Sequence, residues 1–145
     1  MEEIFRNWVL AVIVNEKWEV LMGLSPKHGW YKFPQWWIDK KESAREGVKR
    51  ELKEELNLKL HDEDILEEYE EKPYYYYPKG LKFQNWFVGQ KFTVFKIKYN
   101  DTMNIVPQDD EFENIVRIDP KKFDSLDTIY RKQAYQEALK LCWLF

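Results

Sequence analysis

The residues best suited to chemistry in this sequence are glutamates in one short segment: Glu51, Glu54 and Glu55, beside Arg50. On a helical wheel at about 100° per residue, Glu51 and Glu55 fall about 20° to either side of Ala44, at the stripe that should face the core. Carboxylates are rarely buried without a partner, and converging carboxylates repel one another unless a cation joins them. A hard divalent ion such as Mg²⁺ takes oxygen ligands and leaves positions for water and phosphate. The segment therefore indicates either a metal site or a structural helix whose acids pair with neighbouring lysines.

The element that must position these carboxylates is a helix over Ser43–Leu56. Ser43 followed by Glu46 is a capping box, and Asn57 stands where a left-handed residue ends a helix. The stripe that should pack against a sheet consists of Ala44, Val48, Leu52 and Leu56. The helix therefore presents its glutamates at the border between core and solvent.

Strand patterns lie on both sides of this helix in the chain. Apolar runs and alternating segments predict strands at Val9–Val14, Glu19–Leu24, Tyr31–Phe33, Tyr74–Tyr77, Phe87–Tyr99 and Ile115–Ile118, and a closing helix at Ile129–Leu144. The acidic stretch Asp62–Glu71 is interpreted as a solvated face anchored by Ile65 and Leu66. This mixed order predicts an α/β sandwich with a mixed sheet.

Length and composition set the broad class. The 145 residues are 44% hydrophobic and 34% charged, which predicts one globular domain over residues 1–145. A net charge of −3 argues against a protein that coats nucleic acid through its bulk field, and leaves a local basic pocket open. The longest N-terminal apolar run is far shorter than a membrane span, so we expect a cytoplasmic protein with no membrane partner. We also expect no DNA partner. Cys142 lies among apolar neighbours, which predicts a buried thiol.

The spacing of charges around the helix resembles a known motif. Glu42, seven further residues and then Arg50-Glu51-Leu52-x-Glu54-Glu55 resemble the Nudix box. With the shorter segments Phe5-Arg6, Tyr31-Lys32-Phe33-Pro34-Gln35, Gly89-Gln90-Lys91 and Tyr130-Arg131-Lys132, the chain looks most like the bacterial RNA pyrophosphohydrolase and dinucleoside polyphosphate hydrolase branch of the Nudix family. The resemblance implies a Nudix-type α/β/α sandwich with a mixed central sheet.

The resemblance also implies roles for individual residues. Four groups would hold Mg²⁺ or Mn²⁺: the carboxylates of Glu51, Glu54 and Glu55 and the backbone carbonyl of Trp36. Arg50 and Glu42 would pair to orient the helix, and Glu111 would ligate a further metal or act as base, with Asp109 and Asp110 as neighbouring alternatives. The implied reaction removes pyrophosphate from 5′-triphosphorylated RNA and leaves a 5′-monophosphate, with dinucleoside polyphosphates as related substrates.

Six further residues are candidates for contact with such a substrate. They are Arg6, Lys27 and Lys32 for the phosphates, Tyr130 for stacking on a base, and Arg131 and Lys132 for the RNA backbone. For the charged residues the alternative is an ordinary surface position. For Tyr130 the alternative is a first-turn residue of the closing helix that packs against the sheet.

The main departure from the family pattern is Trp36-Trp37, which stands where the family has two glycines. Glycine reaches positive φ and lets backbone approach a ligand closely. Two hypotheses follow. In the first, this segment adopts negative φ, its carbonyl still reaches metal and the indoles line the cleft as a stacking wall. In the second, the indoles block the phosphate channel, and the chain is an impaired Nudix module that binds nucleotide or RNA without turnover.

Overall fold

In the part of the chain that the structure describes, eight strands and two α-helices form one mixed sheet with helices packed on it. The computed structural model describes residues 4–25, 29–38, 41–78, 87–99, 105–106 and 114–144. The strands are β1 (Ile4–Val14), β2 (Val20–Leu24), β3 (Tyr31–Lys32), β4 (Gln35–Trp37), β5 (Ile65–Glu68), β6 (Tyr74–Tyr76), β7 (Phe87–Lys98) and β8 (Asn114–Ile118), and the helices are α1 (Ala44–Leu56) and α2 (Lys132–Leu141).

The sheet is organised around β1, the apolar run that the sequence marks as a buried strand. Its main path is β3-β2-β1-β7-β5, with β4 paired to β1, β6 to β7 and β8 to β2. β1 and β7 run parallel along their length, whereas the other described pairs are antiparallel. The predicted mixed sheet is therefore confirmed.

Both faces of this sheet are covered, as the continuous apolar run in β1 requires. Leu10 and Val12 point into a core layer that contains Ala134 and Leu139 of α2. Val9, Ala11 and Ile13 point to the opposite layer, which contains Val48, Leu52 and Leu56 of α1. Alternate residues of one strand thus face different helices, and the predicted α/β/α sandwich is confirmed.

Helix α1 begins and ends where its capping residues predict. The Ser43 Oγ accepts a hydrogen bond from the backbone N–H of Glu46 at 3.1 Å. Asn57 has a φ of 54°, and the N–H of Leu58 donates to the carbonyl of Leu52 at 3.1 Å. This is a Schellman-type C-terminus, which satisfies the last carbonyls of the helix. The caps therefore fix the helix that carries the glutamates.

Two of the predicted segments are corrected by the structure. Segment Ile65–Glu68 is a strand, and Leu66 is 50% exposed, so the prediction of Leu66 as an anchor is wrong while Ile65 is buried. The closing helix is shorter than predicted because Ile129 and Trp143 have φ of 54° and 60°, which no α-helix accommodates.

No helix in the described ranges is long and apolar enough to cross a membrane.

Candidate active site

Two carboxylates of α1, Glu51 and Glu54, and that of Glu42 before the helix converge on the guanidinium of Arg50. Arg50 binds Glu42 with two hydrogen bonds, Nη2 to Oε1 at 2.6 Å and Nε to Oε2 at 3.1 Å. Its Nη2 also lies 3.0 Å from Oε1 of Glu51, and its Nη1 lies 3.0 Å from Oε2 of Glu54. On another side of the helix Arg45 and Lys49 both contact Asp62. Arg50, and not Arg45 or Lys49, therefore neutralises Glu51 and Glu54.

Burial and the neighbouring guanidinium have opposite effects on the pKa of Glu51. The side chains of Glu42 and Glu51 are 17% and 18% exposed, against 57% for Glu54. Burial raises the pKa of Glu51 above its ordinary value, and the neighbouring Arg50 partly offsets that rise. The hydrogen bond to Glu42 is the largest cause of the raised pKa of Arg50. The guanidinium of Arg50 thus stays charged, and a nearby cation stabilises the ionised form of the partly buried Glu51.

The donor set suits a hard divalent ion. Arg50 engages one oxygen each of Glu51 and Glu54, and a carboxylate has a second oxygen with which to accept. Glu55 is half-buried on the same helix. Within the described residues no three acidic, histidine or cysteine side chains already form a cluster that would hold a metal. An ion at Glu51 and Glu54 would therefore share their carboxylates with Arg50.

The two tryptophans that replace glycine lie in a strand, not in a loop. Strand β4 pairs with β1 in the register Trp8 with Trp37 and Val9 with Trp36. Neither Trp36 nor Trp37 has positive φ. Trp36 is 8% exposed and packs in the same core cluster as Val48 and Leu52 of α1. Trp37 faces the other way and is 55% exposed.

Arg6, the first candidate for a substrate contact, lies against Trp37. Its guanidinium carbon is 3.6 Å from the centroid of the Trp37 ring and 5.7 Å from that of Trp8. Arg6 makes no ion pair with the described residues, and its buried Nε has no hydrogen-bond partner. The charge of Arg6 is thus fixed in place by aromatic rings and is not neutralised by a described carboxylate.

A second arginine lies among tyrosines near the start of α2. The ring of Tyr130 is 5.3 Å from that of Tyr75 on β6, and the guanidinium carbon of Arg131 is 4.8 Å from the Tyr130 ring. Tyr130 therefore contacts the sheet, in the arrangement given above as the alternative to base stacking. The buried Nε of Arg131 has no hydrogen-bond partner. Burial raises the pKa of Tyr75, which keeps its hydroxyl neutral beside this arginine.

The remaining candidates are dispersed. Lys132 donates through Nζ to the backbone carbonyl of Asp124 at 2.6 Å, and Lys32 is half-buried in β3. Lys27 and Glu111, with Asp109 and Asp110, lie outside the described residues. The structure therefore brings Arg50, Glu42, Glu51 and Glu54 together, and places Lys32 and Lys132 elsewhere.

Sequence reasoning missed two polar residues on the α2 face of the sheet. Gln35 is 4% exposed and accepts a hydrogen bond from the Tyr135 hydroxyl at 2.6 Å, while its amide nitrogen has no partner. The indole nitrogen of Trp8 is also buried without a partner. Strand alternation was the available signal, because Arg6, Trp8 and Leu10 share one face of β1. Unsatisfied buried donors are unusual and indicate a face suited to an acceptor-bearing ligand or water.

Comparisons with known proteins show similarity in sequence and in fold. The sequence matches the NUDIX domain family over residues 5–139. It is 32% identical over 113 residues to an RNA pyrophosphohydrolase of Campylobacter jejuni subsp. doylei, covering 76% of this chain and 71% of the relative. The fold is similar to that of the dihydroneopterin triphosphate pyrophosphohydrolase of E. coli, with a TM-score of 0.72, 16% identity and coverage of 95% and 99%. It is also similar to the MutT protein of Methanosarcina mazei Go1, with a TM-score of 0.68, 19% identity and 98% coverage of both chains.

Proposed function

Because the chain belongs to the Nudix family, we propose that it is a metal-dependent pyrophosphohydrolase that removes pyrophosphate from 5′-triphosphorylated RNA. Dinucleoside polyphosphates are the related substrates. The observation that carries the proposal is the Arg50 cluster, in which one guanidinium binds Glu42, Glu51 and Glu54. The identity to an RNA pyrophosphohydrolase supports RNA as the substrate.

In this proposal the residues of α1 act as ligands and positioning groups. Glu51, Glu54 and Glu55, with the carbonyl of Trp36, would hold Mg²⁺ or Mn²⁺. When bound, such an ion neutralises phosphate oxygens and makes a bound water more acidic. Arg50 fixes the rotamers of Glu51 and Glu54 and is itself fixed by the bidentate pair with Glu42.

Substrate recognition would use the face of the sheet that carries Arg6. The guanidinium of Arg6 has no counter-ion among the described residues. Its Nε has no hydrogen-bond partner, and a phosphate oxygen would supply an acceptor for it. Arg131 has the same property among its tyrosine neighbours. Lys27, Lys32 and Lys132, Tyr130 as a base contact, and Glu111 as a base or further ligand remain proposals from the family pattern.

The second candidate function is a Nudix module that binds nucleotide or RNA without turnover. The observation that favours it is that Arg50 already compensates Glu51 and Glu54, so an ion must share these carboxylates with a guanidinium. Against it, the Trp36 ring is buried in the core cluster of Val48 and Leu52, and its backbone does not need the positive φ of a glycine. Turnover is what separates the two candidates.

The test is pyrophosphate release from a 5′-triphosphorylated RNA with and without Mg²⁺, for the parent chain and for Glu54→Gln. We expect Mg²⁺-dependent release by the parent and a loss of at least about 100-fold in the variant, equivalent to about 2.7 kcal/mol of transition-state stabilisation. The matched control is Glu46→Gln, because Glu46 is exposed on the same helix and makes no contact with Arg50. It should retain parental activity.

The outcomes of this assay distinguish the role of Glu54, catalytic turnover and the stability of the helix. Undiminished turnover by Glu54→Gln would exclude Glu54 as a metal ligand. Binding of the RNA without any release by the parent would favour the non-catalytic module. An equal loss in Glu46→Gln would mean that helix stability, not metal binding, explains the effect.

A further inference from the structure

The two tryptophans of β4 have different surroundings, and only one of them offers a surface to a ligand. Trp36 is enclosed in the core beneath α1, whereas Trp37 is 55% exposed. The Arg6 guanidinium lies over the Trp37 ring at 3.6 Å from its centroid. One side of the indole is therefore occupied by a cation, and much of the ring surface remains accessible.

This contact holds Trp37 in a defined orientation. The backbone of Trp37 is paired with Trp8 in the sheet, so the indole is attached to a strand rather than to a loop. Arg6 also lies 5.7 Å from the Trp8 ring and 5.9 Å from the Phe87 ring, so three aromatic side chains surround its guanidinium. A ring held in this way loses little conformational entropy when a second planar group stacks on it.

The immediate surroundings supply hydrogen-bond donors and room. The Nε of Arg6 and the indole nitrogen of Trp8 are buried donors without partners. A groove of about 790 Å³ opens at this edge of the sheet and is lined by Arg6, Trp37, Phe87 and Ala44, with Glu70 and Lys72 among the charged residues. Ala44 is the first residue of α1. The groove thus extends from the indole to the N-terminus of α1.

We propose that Trp37 is a base-stacking platform that binds a nucleobase of the ligand on its exposed indole surface. This rests on the proposed function, because it assigns a base contact, in addition to Tyr130, for the same substrate. An aromatic ring with an open face stacks on any base, and each such contact contributes appreciably to binding of unpaired nucleotides. The platform is supplied by a residue at which the family pattern has glycine, so it is a feature of this chain.

Two of the three other exposed tryptophans among the described residues provide a contrast. Trp18 and Trp143 are 63% and 89% exposed. Trp18 follows the far end of β1 and lines a groove with Trp143, Lys121 and Asp119, away from Arg6 and α1. Exposure alone therefore does not identify the platform. The combination of exposure, a stacked arginine and a groove that reaches α1 does.

The test compares two ligands that differ only by a base. Adenosine 5′-monophosphate and ribose 5-phosphate contain no phosphoanhydride bond, so the protein cannot hydrolyse one in either of them. We would titrate each into the parent, Trp37→Ala, Trp37→Phe and Trp18→Ala, and follow the ligand protons by NMR. Thermal melts of all four proteins check that they are folded.

We expect Trp37→Ala to weaken adenosine monophosphate binding by roughly 5- to 150-fold and to leave ribose 5-phosphate unchanged. Trp37→Phe should retain most of the affinity, and Trp18→Ala all of it. The adenine protons should shift upfield with the parent and not with Trp37→Ala, because only a stacked ring produces that shift.

An equal loss of affinity for both ligands in Trp37→Ala would overturn the proposal, as would an unchanged upfield shift or no binding by the parent. The measurement does not depend on turnover. A parent that binds adenine on Trp37 but releases no pyrophosphate would therefore retain the platform while refuting the proposed enzyme activity.

Discussion

Replacing Trp36 by alanine should destabilise the fold far more than the same change at its neighbour. Trp36 is 8% exposed and contacts the core cluster that contains Val48 and Leu52. Truncation of a buried tryptophan to alanine costs about 3–5 kcal/mol through lost transfer free energy and the cavity that remains. Trp37→Ala removes an exposed ring and one cation–π contact, which contributes about 0.5–1 kcal/mol.

These free energies translate into separate melting temperatures. For 145 residues the entropy of unfolding is about 0.3 kcal/mol/K near the midpoint. Trp36→Ala should therefore lower Tm by about 10–16 °C, and Trp37→Ala by about 2–3 °C. Thermal unfolding followed by far-ultraviolet circular dichroism measures both values on the same scale.

A conservative variant separates volume from chemistry at this position. Trp36→Phe retains most of the apolar volume and should recover the larger part of the loss seen with alanine. If Trp36→Ala melts within about 3 °C of the parent, the ring does not pack beneath α1. If both alanine variants fall equally, the assignment of opposite faces to the two residues is wrong.

Two further predictions follow from individual contacts. An added Cβ at Gly89 would lie 1.9 Å from the carbonyl oxygen of Tyr75. Gly89→Ala should therefore separate β6 from the sheet and lower the urea midpoint, with a loss of at least about 1–3 kcal/mol in the free energy of unfolding. A parental midpoint would contradict the pairing of β6 with β7. Burial raises the pKa of the Cys142 thiol to about 11, so its labelling by a thiol reagent should be slow at pH 8 and continue to rise up to about pH 11. Since the folded pKa is raised, the stability contributed by this neutral thiol is present below about pH 9 and lost as pH rises toward 11; labelling that levels off near pH 9 would refute burial of the sulfur.

The helix of the candidate site was predictable because its signals are local. Ser43 and Asn57 act on backbone groups within five residues of themselves, and the apolar stripe repeats within the same segment. No distant part of the chain is needed to form either cap. The glutamates of α1 are therefore placed by information contained in one short stretch of sequence.

The unpredicted strands depend on partners far away in the chain. Gln35–Trp37 becomes β4 only because its backbone groups pair with Trp8, Val9 and Leu10 of β1. Ile65–Glu68 becomes β5 only by pairing with β7, whose residues Phe95–Ile97 lie some way further along. An acidic segment gives no sign of this, because strand formation here reflects pairing and burial rather than residue preference.

The family resemblance implied the pair of Arg50 with Glu42, but the cation beside Glu51 and Glu54 was beyond sequence reasoning. Spacing alone allowed either lysines or a metal as the cation beside the glutamates. In the structure Lys49 contacts Asp62 instead, and Arg50 reaches Glu42 across eight positions of sequence. The counter-ion of each carboxylate thus depends on where the chain before and after α1 returns to it.

Strand geometry gives Trp36 and Trp37 different surroundings, so their effects on function can be considered separately. Successive side chains of a strand point to opposite faces, so residues 36 and 37 cannot both line one cleft once β4 has formed. Trp36 contributes to the core under α1 and offers the site only its backbone, whereas Trp37 contributes its ring beside Arg6. Trp36 would therefore affect the proposed metal site through its backbone, and Trp37 would affect the proposed base contact through its side chain. The two effects are separable because single substitutions at these positions act on different faces of the sheet.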